Sequence, residues 1–136
     1  MEIHYESPPG LAKPSAPFAQ MARVRASGFL YIAGQLSMDA TGAVVGGGDL
    51  DAQCEQVFTN IGIALISQGV SWQNVVAFTT YVVGAENLAA IGAFRLRRFP
   101  TLFGDGGYPP NTLLIVERLA QPECKIEIQT VAALDT

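Results

Sequence analysis

Residues 22–26, ARVRA, alternate apolar and basic side chains, the period of two that puts one strand face on a core and the other in water. Ser27 and Gly28 read as a turn, and FLYIAG runs apolar to Gly34, so the pattern predicts a hairpin. The next segment, MDATGAVVGGGD, is rich in glycine around an Asp-Ala-Thr-Gly turn and reads as a loop. From Leu50 the period lengthens. Leu50, Cys54, Val57, Phe58, Ile61, Ala64 and Leu65 recur at helical spacing as far as Gly69, with Asp49 or Asp51 placed to cap the first turn. SWQN leads into VVAFTTYVV, a β-branched and aromatic strand over 75–83. A second helical pattern starts near Glu86 or Asn87 and carries Leu88, Ile91, Phe94, Leu96 and Phe99. Pro100 is expected to end it, because proline has no amide hydrogen for the helical ladder. A strand over 111–119, a turn around AQPE and a strand over 124–133 predict a second hairpin.

This order, β-β-α-β-α-β-β, predicts one α+β domain over residues 1–136, a mixed sheet with two helices on one face. NTLLIVERL is apolar at successive positions, which calls for cover on both sheet faces. Helices cover one face, so the other is expected to pack on copies of the same chain in a closed homo-oligomer. Composition agrees: 49% of residues are apolar and 15% charged, leaving apolar surface for a subunit contact.

The net charge of −4, with eight scattered basic residues, argues against a binder of phosphate backbones, which needs clustered cations. No nucleic-acid partner is expected. The one basic cluster, Arg95, Arg97 and Arg98 in RLRRF, reads as a helix C-terminus, where free carbonyls favour cations. No basic start precedes an apolar run, and no stretch approaches the roughly 20 apolar residues that span a bilayer, so a cytoplasmic location and no membrane partner are expected. Cys54 and Cys124 lack CxxC spacing and read as buried small hydrophobes. His4 lies near an N-terminus expected to be mobile and has no companion ligands, so neither a triad nor a metal site is expected on it. The glycine-rich loop carries no GxxxxGK[ST] and is not read as a phosphate cradle.

Candidate chemistry lies on the last two strands. In CKIEIQ, Ile126 and Ile128 share one face while Lys125, Glu127 and Gln129 share the other. That second face is either a plain polar surface or the wall of a cleft in which a partly desolvated Glu127 orients or deprotonates a water. In YPPNTLLIVERL two prolines hold the chain extended and Asn111 stands at the mouth of the strand. It either bonds nearby backbone, as Asn does at such junctions, or offers a ligand a neutral amide. GDGGYPP reads as a flexible turn from which Tyr108 could cover a ligand. Arg118 lies roughly 23 Å along an extended strand from Asn111 and cannot bring a guanidinium there within one chain, and no pattern in the sequence carries Arg97 or Arg98 there from a helix end.

Three segments resemble one family. APFAQMARV at 16–24 is similar to the GPYSQAV segment of the RidA proteins, also called YjgF or L-PSP. LYIAGQLSMDATGAVVGGGDLDAQCEQVFTNI is similar to their VYVSGQIPLDPxTGEVVxGDIxAQTxQxLxNL, and VERLAQPECKIEIQTVA to their VARLPKDVKIEIEAIA, so the resemblance spans nearly the whole chain. It implies a chorismate-mutase-like α+β fold and a homotrimer with small-molecule clefts between neighbouring subunits. For the best-known branch it also implies hydrolysis of 2-imino acids to 2-keto acids and ammonia without metal or cofactor. Other members are described as ribonucleases or translation inhibitors, a reading to which the acidic balance here lends no support.

Lining up PARSCVEVARL of the deaminase branch with PPNTLLIVERL puts Asn111 on the arginine that grips the substrate carboxylate, Thr112 on the serine and Leu113 on the cysteine. A guanidinium holds a carboxylate by charge-assisted bonds of about 1.5–3 kcal/mol, so a neutral amide should bind an imino acid about tenfold to a hundredfold more weakly. Deaminase activity of the usual kind is therefore expected to be weak or absent. Phe18 stands where the family commonly has tyrosine, Gly34 matches a glycine whose amide faces the ligand, and Glu127 matches the glutamate associated with the hydrolytic water. The resemblance thus implies a cleft formed by Gly34, Phe18, Tyr108, Asn111, Thr112 and Leu113, with Glu127 acting on water. Two functions fit it: a hydrolase of an imine, enamine or related substrate, or a non-catalytic ligand-binding or regulatory scaffold.

Overall fold

The alternation in ARVRA does make a strand, but not one that pairs with FLYIAG. In the computed structural model, which describes residues 1–135, Glu2–Glu6 forms β1 and pairs antiparallel with Met21–Arg25, β2, as a separate two-stranded sheet. Ser27 is committed elsewhere: its amide and its hydroxyl both donate to the Leu134 carbonyl, each at 3.1 Å. That contact swings the chain so that β3, Gly28–Gln35, pairs with the last strand instead of with β2. The N-terminus expected to be mobile is this β1 strand, with His4 exposed opposite Arg23.

Helix α1 spans Leu50–Ser67, and Asp49 caps it by accepting the Ala52 amide at 3.2 Å. Strand β4 is Val75–Val83, helix α2 is Leu88–Phe103, β5 is Asn111–Val116 and β6 is Ile126–Leu134. The larger sheet runs β3-β6-β4-β5, so the second expected hairpin does not form either. Because α2 is a crossover, β5 returns parallel to β4, and β6 then inserts between β4 and β3, antiparallel to both.

Pro100 does not stop α2. The helix continues to Phe103 and ends at Gly104, whose amide bonds the Pro100 carbonyl at 3.0 Å and whose φ of 62° favours glycine. Leu96, whose carbonyl loses the donor that proline lacks, lies on the solvent side at 69% exposure, so it is not a core residue as its spacing suggested. RLRRF therefore sits within the helix rather than at its end. Arg97 and Arg98 pair with Asp51 and Glu55 of α1 at 2.6 and 3.1 Å, whereas Arg95 turns inward.

Both helices pack on one sheet face. Cys54, Val57, Phe58, Ile61 and Leu65 of α1 and Ile91, Phe94, Phe99 and Phe103 of α2 meet Ile32, Phe78, Val82, Ile126, Ile128 and Ala132 of the sheet. Phe58 sits at the centre, its ring 5.2–6.0 Å from those of Trp72, Phe78, Phe94 and Phe99. Burying each such side chain stabilises the fold by about 1.5–3 kcal/mol. Gln53 pins the start of the last strand to α1: its buried amide donates to Gly46 and Glu123 carbonyls at 3.1 and 2.9 Å and accepts the Lys125 amide at 2.8 Å. Cys54 and Cys124 are both buried, as expected. The second face of the sheet has no helix over it and leaves Phe29, Tyr31 and Leu114 exposed. Among the described residues no helix is long and apolar enough to cross a membrane.

Candidate functional site

Strand period sets the first half of the site. Ile126 and Ile128 point into the core, which turns the half-buried Glu127 to the helix-free face. A register irregularity between Ile32 and Gln35 of β3 brings Gly34 beneath it. A Cβ at Gly34 would overlap Glu127 Oε2 and stand 2.7 Å from its Cδ and 2.9 Å from its Cγ, so only glycine allows the carboxylate to lie there. The Glu127 carboxylate makes no hydrogen bond or ion pair with another described residue. It remains available to water or a ligand.

The second half forms around Asn111, and it includes a residue that the sequence reading missed. Arg95 Nη2 donates to Thr80 Oγ1 at 2.9 Å, and Thr80 donates to Asn111 Oδ1 at 2.7 Å. Arginine can only donate, so the Thr80 oxygen must accept from it and send its own proton on to Asn111. The amide oxygen of Asn111 is thereby used, and its NH2 is left as a free donor. Arg95 is 7% exposed and Thr80 fully buried. A sequence signal for Arg95 did exist: it lies four residues after Ile91 and four before Phe99, on the buried stripe of α2, where a lone cation is out of place.

Burial lowers the Arg95 pKa, and the one acidic group coupled to it, the Cys54 thiol, is itself pushed up to about 12 by burial and stays neutral. No carboxylate pairs with Arg95 among the described residues. Arg95 lines a cavity of about 290 Å³ with Leu96, Pro100, Tyr108 and residues 14–17. An adjoining cavity of about 590 Å³ shares Pro14, Ala16, Pro17 and Tyr108 and is lined by Phe18. Tyr108, expected on a flexible turn, is held by ring contacts to Phe99 and Phe103 at 5.9 and 6.1 Å.

Within one chain the sequence-predicted residues fall into two groups. Asn111 and Leu113 lie opposite Phe78 and Thr80 on the helix side, whereas Thr112 faces the other way, and Phe18 and Tyr108 share the larger cavity. Glu127 lies opposite Tyr81, two strands across from β5 and on the helix-free face with Gly34. Strand spacing and rise put Glu127 and Asn111 roughly 14 Å apart. One chain therefore holds two separate groups of candidate residues. Among the described residues no group of three or more His, Cys, Asp or Glu is placed to hold a metal ion.

A mixed sheet backed on one face by two helices, with a glycine-floored carboxylate on its helix-free face, defines an α+β protein of the chorismate-mutase-like class. The family model for Endoribonuclease L-PSP matches residues 10–134. A RutC family protein of Synechocystis is 33% identical over 124 residues, 90% of each chain. The crystal structure of YyfB, a Rid-family protein of unknown function from Yersinia pestis, superposes with a TM-score of 0.79 at 34% identity, covering 98% of this chain and 100% of that one. The 2-iminobutanoate/2-iminopropanoate deaminase of Capra hircus is 33% identical over 88 residues, 64% of this chain and 62% of that protein. The chain belongs to the RidA/YjgF/L-PSP family.

Proposed function

We propose that the protein acts as a homotrimer that binds a small metabolite in clefts between subunits and hydrolyses an imine, enamine or related C–N substrate there. The observation that carries this reading is the uncommitted Glu127 carboxylate lying across the backbone of Gly34. The roughly 14 Å between the two groups supports the trimer, because a second copy is needed to bring a Glu127 to an Asn111. So does the apolar sheet face with Phe29, Tyr31 and Leu114 exposed, which stacking of copies would cover. The likeness to the Capra hircus deaminase supports the reaction class.

In this reading Glu127 takes a proton from water as the water oxygen bonds to the C=N carbon. The same proton is returned to nitrogen. Glu127 then takes the hydroxyl proton of the carbinolamine as C=O forms and the C–N bond breaks with its electron pair leaving on nitrogen. That proton passes to the leaving nitrogen or to solvent, and ammonia and a carbonyl compound are released. The Gly34 amide and the Asn111 NH2 serve as neutral donors to the ligand. No guanidinium stands at the start of β5, so a 2-imino acid, whose carboxylate adjoins the reacting carbon, is turned over slowly.

A coupled assay that generates 2-iminopropionate from 2-aminoacrylate tests this. The parent protein should be slow, Asn111→Arg should raise the rate about tenfold to a hundredfold, and adding Glu127→Gln should remove the gain. A fast parent would overturn the reading of Asn111, and a rate that survives Glu127→Gln would remove Glu127 as the base. Asn111 itself favours a second reading, a ligand-binding scaffold without catalysis. Ligand binding without turnover in both the parent and Asn111→Arg would establish that alternative. Mass measurement by light scattering tests the trimer.

A further inference from the structure

Arg95 poses an electrostatic problem that the other described residues do not solve. A buried guanidinium without an anion is costly, and truncating it or pairing it are the usual solutions. Here the neighbouring carboxylates Asp51 and Glu55 are engaged by Arg97 and Arg98, Cys54 is neutral, and Thr80 satisfies one of five N–H donors. The π face of Phe99, 5.8 Å from the guanidinium carbon, softens the burial but supplies no charge. The guanidinium also lines an open cavity of about 290 Å³, so an anion can reach it.

We propose that Arg95 is the anion-reading residue of the cleft, and that the cavity it forms with Tyr108, Pro100 and residues 14–17 receives the carboxylate of a small monoanionic ligand. The assignment rests on the cleft reading above and narrows its substrate class. One uncompensated cation matches one negative charge, and the planar fork matches a carboxylate. The guanidinium stands behind Asn111 by two hydrogen-bond lengths, 2.9 and 2.7 Å. A carboxylate paired with it is thus set back from the start of β5. With the carboxylate held there, the free Asn111 NH2 is left to donate to a carbonyl oxygen or imine nitrogen of the same ligand.

The test is titration calorimetry on the whole protein with 4-oxopentanoate, its uncharged counterpart 2-pentanone, and pyruvate. Both carboxylates are expected to bind more tightly than 2-pentanone. Arg95→Met should weaken 4-oxopentanoate about tenfold to a hundredfold and leave 2-pentanone unchanged, while Arg95→Lys keeps part of the affinity. Because Arg95→Met also removes a donor from buried Thr80, Ser15→Glu serves as an independent variant. It leaves the core untouched and places a competing carboxylate at the cavity wall, and it should cause the same selective loss. The proposal is overturned if the parent binds 4-oxopentanoate no more tightly than 2-pentanone, if both variants keep the affinity, or if inorganic phosphate binds more tightly than either carboxylate. Heat of binding does not depend on Glu127. Lost hydrolysis with retained binding therefore defeats only the hydrolase reading, and retained hydrolysis without Arg95-dependent binding defeats only this one.

Discussion

Gly34→Ala separates the position of Glu127 from its identity. The added Cβ would overlap Oε2 and press on Cδ and Cγ at 2.7 and 2.9 Å, distances that real Cβ atoms essentially never show. The glutamate side chain must then swing by about 1 Å or more, and a misplacement of that size costs on the order of a hundredfold in a positioned reaction. Stability should not fall with it. Gly34 is outside the left-handed region, so alanine is allowed there, and a less flexible unfolded chain contributes about 0.4–1 kcal/mol toward the folded state. The colliding group is the end of a side chain on the helix-free face, which moves at little cost. The assay is turnover in the Asn111→Arg background, paired with urea unfolding at one fixed protein concentration. The expected result is activity down about a hundredfold with an unfolding midpoint equal to or above that of the parent. Unchanged turnover in a normally folded Gly34→Ala protein would refute the role given to Glu127 over Gly34.

Gln53→Leu keeps side-chain volume but removes three bonds that tie Gly46, Glu123 and Lys125 to α1, and should cost about 2–4 kcal/mol in urea unfolding. Asp39 is held below the usual carboxylate range, first by the Thr41 hydroxyl and then by the Ala43 and Thr41 amides, so its contribution is complete above the ordinary aspartate pKa of about 3.9 and fades as pH falls through the lower folded value. Asp39→Ala should accordingly lower stability at neutral pH by that full contribution, with the deficit vanishing as pH falls below about 4, so that the acid limb of the stability profile is flatter. Burial raises both thiol pKa values, Cys54 to about 12, so neither cysteine should react with a thiol-specific disulfide reagent until the protein is unfolded.

The parts of the fold that could be read in advance are those governed by local period. Val75–Val83 has the predicted bounds, and Asp49 caps α1 as its place in the chain suggested. The misreadings have a common cause. ARVRA and FLYIAG are adjacent in sequence and look like a hairpin, yet β2 pairs with β1 and β3 with β6 because Ser27 bonds Leu134, far along the chain. Pro100 looked like a stop, but its missing hydrogen bond falls on the solvent side of α2, where water can serve the freed carbonyl. Among site residues, the strand alternation around Glu127 was legible and the inward turn of Arg95 was passed over in favour of its neighbours.

What the sequence by itself determined was the family, the two helices, the strand segments other than β1 and the absence of an arginine at position 111, since each depends on residue identity or on a period within a few neighbours. Only the tertiary structure decided that β6 lies between β4 and β3, that Glu127 rests on Gly34, and that Arg95 reaches Asn111 through Thr80. These are contacts between distant segments, fixed by which surfaces bury together and which donors find acceptors. No local period encodes them.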